Sequence, residues 1–145
     1  MSLPYRSIAR VGKAAVALLQ AEVVLRTGPL ERACRWLGIT PPDAPSRSAL
    51  VRVDSDRKAK RRIRANARAV ERAARWLPVP NTCLRRALAL GWLLRDLRPT
   101  LRIGVSKERG FEAHAWLEIG NAAVGADGAV AERFRVLRRP SSEAE

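Results

Sequence analysis

From Ala87 to Leu94 the chain reads Ala-Leu-Ala-Leu-Gly-Trp-Leu-Leu, with no polar side chain on any face of a helix built from it. A helix that is apolar all round has to be buried all round. The stretch from Thr82 to Leu97 therefore predicts the central helix of a domain, and the remaining chain must wrap it. At 145 residues there is length for one such core and no second. The breaker Leu77-Pro78-Val79-Pro80 comes just before, so Cys83 falls in the first turn of this helix. There it meets backbone N–H groups that lack helical partners and the positive end of the helix dipole, both of which favour a thiolate.

The preceding half reads as helical cover. Residues 7 to 27 carry Ile8, Val11, Ala15, Leu18, Leu19, Val23 and Leu25 at spacings suited to an amphipathic helix, ended by Gly28-Pro29. A second short helix runs from Leu30 to Leu37 and stops at Gly38. Cys34, one turn from Leu30 and Leu37, reads as a small core hydrophobe. Residues 39 to 55, with Pro41-Pro42 and Pro45, show no period and read as a connector. Asp54 and Ser55 offer caps for a basic helix from about Asp56 to Trp76, whose narrow stripe is Ile63, Ala67, Val70, Ala74 and Leu77.

After the central helix the period changes from helical to alternating. Leu101 to Ser106 reads as a strand, Lys107 to Gly110 as a turn, and Glu112 to Ile119 as a second strand. On the latter, Ala113, Ala115, Leu117 and Ile119 take one face; Glu112, His114, Trp116 and Glu118 take the other. His114 is the only histidine in the chain. If Gly120-Asn121 is a two-residue hairpin turn, Ile119 pairs with Ala122, and counting back sets His114 opposite Asp127. Directly opposed residues have Cβ atoms about 5 Å apart, within reach of a carboxylate–imidazole bond. A one-residue change in the turn puts Ala126 or Gly128 there instead, and Glu112, two residues from His114, is a rival. A thiol at a helix start, an imidazole and an orienting acid form the set that activates a cysteine nucleophile, although a packed cysteine and a structural histidine would read the same way in isolation. Residues 133 to 137 resemble a last strand, and 140 to 145 a polar tail.

Charge brings in a different class. Against 14 Asp and Glu stand 28 Lys and Arg, a formal +14, and nine of the basic residues lie between Arg57 and Arg75. Such a field attracts nucleic acid, acidic peptide or anionic membrane. No aromatic residue interleaves the basic run, so base stacking finds no support, and a basic nucleic-acid binder with structural Cys83 and His114 is the alternative reading. Two cysteines without a C-x-x-C pair suggest a reducing, cytoplasmic setting and no metal or other cofactor. The early apolar stretch is broken by Lys13, Glu22 and Arg26, which argues against a signal peptide and a membrane span.

Three segments carry a resemblance: Cys83-Leu84-Arg85-Arg86-Ala87-Leu88-Ala89-Leu90, Leu101-Arg102-Ile103-Gly104-Val105, and His114-Ala115-Trp116-Leu117-Glu118. Together they resemble the transglutaminase-like core of the leader peptidases of lasso-peptide biosynthesis, the family related to the microcin J25 processing protein. The likeness covers about residues 78 to 137, and the helical half looks similar in character. It implies an α+β, papain-like cysteine peptidase core with the central helix packed on an antiparallel sheet. It further implies Cys83 as nucleophile, His114 as base and Asp127, within Gly125-Ala126-Asp127-Gly128, as orienting acid. The implied partners are a precursor peptide with its leader, a separate leader-recognition protein and an ATP-dependent macrocyclase acting afterwards. The organisation expected is a helical region over 1–77 for docking, a catalytic core over 78–139 and the tail at 140–145, forming one unit. Acyl transfer to an amine in place of water is the further alternative on the same fold.

Overall fold

A computed structural model of the chain describes residues 5–44, 56–106, 110–120, 122–124 and 135–136. The elements are α1 (Tyr5–Thr27), α2 (Leu30–Leu37), α3 (Arg57–Trp76), α4 (Cys83–Leu93), β1 (Thr100–Ser106), β2 (Glu112–Ile119), β3 (Ala122–Val124) and β4 (Arg135–Val136). The described strands form an antiparallel sheet in the order β3-β2-β1-β4, giving an α+β architecture.

Each boundary has a local cause. Gly38 ends α2 in the left-handed region at φ 74°, with its N–H donating to Arg35 O, and Ile39 N–H donates to Cys34 O, so the last carbonyls of the helix are satisfied. The cap of α3 is Asp56, not Asp54 or Ser55, which lie outside the described residues. Its carboxylate accepts from Lys58 N–H at 3.0 Å and Ala59 N–H at 3.2 Å. The central helix ends earlier than the apolar run suggests: α4 stops at Leu93, and a 3-10 turn over Arg95–Leu97 follows. Arg98 then takes a left-handed φ of 51° before Pro99 enters the sheet.

Burial follows the predicted stripe on α3, where Ile63, Val70 and Ala74 are buried, but not on α1: of the expected positions only Leu18 is buried, Ile8, Leu19 and Val23 are exposed, and Ala14, Ala17 and Ala21 face inward, where their small side chains let α1 lie close against α3 and α4. Ala87, Leu88, Ala89, Leu90, Gly91 and Leu94 are buried, while Trp92 and Leu93 are half-buried, with the Arg95 guanidinium 4.7 Å from the Trp92 ring centroid. One core joins Ala14, Leu18 and Ala21 of α1, Ile63 and Val70 of α3, Leu88 of α4 and Leu117 and Ile119 of β2. The helical half and the sheet thus share an interior. Cys34 is fully buried in it, and burial pushes its thiol up to about 12, with the nearby Glu31 charge adding to the effect.

The connector contributes more than its lack of period suggests. Ile39 is buried at 3% exposure, and Thr40 forms a parallel bridge to Thr100, its N–H donating to Pro99 O at 2.9 Å and its carbonyl accepting from Leu101 N–H at 2.9 Å. Where Ile39 meets α4 there is no space for a side chain. A Cβ placed on Gly91 would lie 2.4 Å from Ile39 Cδ1 and 3.5 Å from Leu117 Cδ2. Gly91 is what lets α4 approach Ile39 of the connector, while the distance to Leu117 of β2 is an ordinary contact.

Candidate active site

The first turn of α4 is held from two sides. Thr82 is the N-cap, its hydroxyl accepting from Arg85 N–H at 3.3 Å. The Arg85 side chain donates to the same hydroxyl through Nη1 at 3.2 Å, and through Nε it donates to Glu22 of α1. Glu22 is 7% exposed and also accepts from Arg26 Nε at 2.7 Å. Along the sequence Glu22 only interrupts an apolar stretch. In the fold its carboxylate ties α1 to the turn that carries Cys83, and no pattern local to either helix could reveal a contact between residues so far apart in the chain.

The Arg85 guanidinium, hydrogen-bonded to Glu22, holds that carboxyl below its ordinary 4.5; burial opposes the shift and Arg26 reinforces it. As pH falls, the unfolded chain takes up the proton first. Glu22 therefore stabilises the fold above the ordinary carboxylate range, and this contribution is lost as pH drops through the depressed native value. Asp96, lowered by its hydrogen bonds to Arg62, acts with the same sign. Urea midpoints compared between pH 7 and pH 3 should show a smaller acid loss for Glu22→Gln than for the parent. Parallel curves for the two proteins would count against the assignment.

Topology brings Cys83 and His114 to one end of the molecule. α4 packs against β2, and the position of Gly91 abuts Leu117. Six residues, Leu94 to Pro99, return the chain into β1, so β1 runs back along α4 and β2 runs with it. Cys83 lies eight residues before Gly91, about 12 Å along the helix. His114 lies three residues before Leu117, about 10 Å along the strand. The start of the helix and the start of the strand thus share an end. Alternation puts the imidazole on the face of Trp116, where the two rings stack with centroids 6.3 Å apart, opposite the Leu117 face that packs on α4, so the described register brings His114 to the same end as Cys83 but sets it on the other face of the sheet from α4. Glu112 and Ala113 are exposed and His114 and Cys83 half-buried, so this end runs out of the core toward solvent.

The register that sequence reading needed is present wherever the hairpin is described. Leu117 pairs with Val124, Glu118 with Ala123 and Ile119 with Ala122, and Gly120 takes the left-handed φ of 57° that a tight turn favours. Asp127, the expected partner of His114, lies outside the described residues, as do Ala126 and Gly128. Glu118 is engaged elsewhere: Arg102, 9% exposed on β1, donates to it at 3.0 Å and to Pro42 O at 3.3 Å. Among the described residues no cluster of His, Cys, Asp and Glu could hold a metal, and no helix is long and apolar enough to cross a membrane.

An α+β fold with a cysteine in the first turn of its central helix, packed on an antiparallel sheet whose second strand carries a histidine, defines a class of thiol enzyme scaffold. The family comparison agrees: residues 15–139 match the transglutaminase-like superfamily, and the chain belongs to it. That superfamily commonly carries a Cys-His-Asp triad and supports activity of the cysteine peptidase or acyltransferase kind. No match is found among curated proteins or among solved structures.

Proposed function

We propose that the protein is a cysteine endopeptidase that removes the leader from a ribosomally made lasso-peptide precursor, with Cys83 as nucleophile, His114 as base and Asp127 as orienting acid. The observation that carries this reading is the placement of Cys83 in the capped first turn of the central helix of a transglutaminase-like chain. In the reaction the thiolate attacks the scissile carbonyl, and N–H groups of the α4 start hydrogen-bond the developing oxyanion. The imidazolium then protonates the leaving amine, and water hydrolyses the thioester. A separate protein presents the leader, and an ATP-dependent cyclase takes the released core. The setting is cytoplasmic.

The experiment is to incubate the protein with precursor and recognition protein and weigh the products. Hydrolysis gives two fragments whose masses sum to the precursor plus one water. Acyl transfer to an amine gives an adduct lacking that water, and it is the second reading because the superfamily supports both kinds of activity. In the same samples iodoacetamide should label Cys83 and spare Cys34, which is fully buried. Equal labelling of both thiols, or an unchanged precursor mass, would argue against the peptidase.

A further inference from the structure

Where the first turns of α1 pass α3 there is a cleft of about 170 Å³ lined by Arg10 of α1 and by Arg68 and Arg72 of α3, with Ser7 at its edge and a floor of Val11 and Ala69. Arg68 and Arg72 stand one helical turn apart and so project from the same face of α3. All three arginines are exposed. Among the described residues none of them forms an ion pair; Glu22 pairs with Arg26 and Arg85, Glu31 with Arg35, Asp96 with Arg62 and Glu118 with Arg102. Glu71, the single acid of α3, makes no ion pair with them. Like charges gathered round one concavity repel, and an anion seated between them removes that cost while gaining charge-assisted, bidentate hydrogen bonds.

We propose that this cleft docks an acidic peptide segment, seating a carboxylate side chain among Arg10, Arg68 and Arg72. The size and lining decide the class of ligand. The hollow is concave and has an apolar floor, so it suits one side chain with its methylene stem. No aromatic residue stands among the basic positions of α3 from Arg57 to Arg75 to stack a base. The site lies on the helical half and away from Cys83, so it holds a peptide without taking part in the bond cleaved. That the segment belongs to the precursor or to its presenting protein rests on the peptidase reading; the docking does not.

The test uses the full chain carrying Cys83→Ala, so that binding is read without chemistry and a failure of docking is kept apart from a failure of the peptidase. Fluorescence anisotropy follows a labelled oligoglutamate peptide at physiological salt. Changing Arg68 and Arg72 together to Gln should weaken its binding roughly tenfold, the scale of a lost charge-assisted pair. Changing Arg57 and Arg61 together to Gln removes equal charge from the same helix outside the cleft and should change binding by less than about twofold. Equal losses from the two pairs would overturn the site and leave only a diffuse field. Tighter binding of a single-stranded oligonucleotide, lost with the same two arginines, would overturn it in favour of nucleic acid. Both variants keep helix-favouring side chains at exposed positions, and unchanged circular dichroism confirms that the comparison is of folded proteins.

Discussion

Replacing Cys83 by alanine should stop cleavage of the cognate precursor while leaving the chain folded. The loss expected for removing a nucleophile is about four to six orders of magnitude in rate. Folding should survive because Cys83 is half-buried, alanine favours helix, and the cap of α4 belongs to Thr82. His114→Ala should follow with a loss of at least about a hundredfold, the usual contribution of a positioned general base. Product masses over time give the rates, and circular dichroism with thermal melting gives the fold. Cleavage by Cys83→Ala at the parent rate would end the proposed mechanism whatever His114 did.

A change at Gly91 should lower stability, although here two known tendencies oppose each other. Alanine is favoured over glycine inside a helix by about 1 kcal/mol. Against this, the new methyl would sit 2.4 Å from Ile39 Cδ1 and 2.7 Å from Cγ1, so the Ile39 side chain, 3% exposed, would have to leave its packed position. Overpacking of this kind costs about 1–3 kcal/mol for a methyl and more for a branched side chain. The clash wins, so Gly91→Ala should lower stability and Gly91→Val should lower it further. The decisive measurement is a double-mutant cycle. Ile39→Ala alone should destabilise by about 2–5 kcal/mol through its cavity, yet in the Gly91→Ala background it should cost clearly less, because the two changes compensate. Additive losses would show that the contact does not limit the approach of α4.

Patterns that live within one element were readable in the chain. Leu30–Leu37 and Glu112–Ile119 have the predicted bounds because Gly38 and the alternation of β2 are local signals. The hairpin register was readable too, since a two-residue turn leaves one pairing of Ile119. Contacts between elements were not. Ile39 sits in a segment without period, so nothing local separated it from a loop residue, although it plugs the space beside Gly91. Arg102 and Glu22 are charged residues at positions that patterning assigns to solvent, and they are buried because each meets a partner from another part of the chain. For the candidate site, the position of Cys83 in the first turn of the central helix and of His114 on the second strand followed from the sequence. The bracing of the Cys83 turn by α1 required the tertiary structure.

The turn between α4 and β1 carries a constraint of its own. Its six residues fix where the strand begins and, through the Leu97-to-Leu94 and Arg98-to-Arg95 hydrogen bonds, the phase at which the helix hands over to the sheet. Lengthening it by one residue would turn α4 by about 100° or slide it by about 1.5 Å relative to β2. Either change would carry Gly91 off Ile39 and the thiol away from the start of β2. Leu94 and Pro99 anchor the turn in the core and Asp96 ties it to Arg62 of α3, so the turn sets the spacing of helix and sheet from both of its ends.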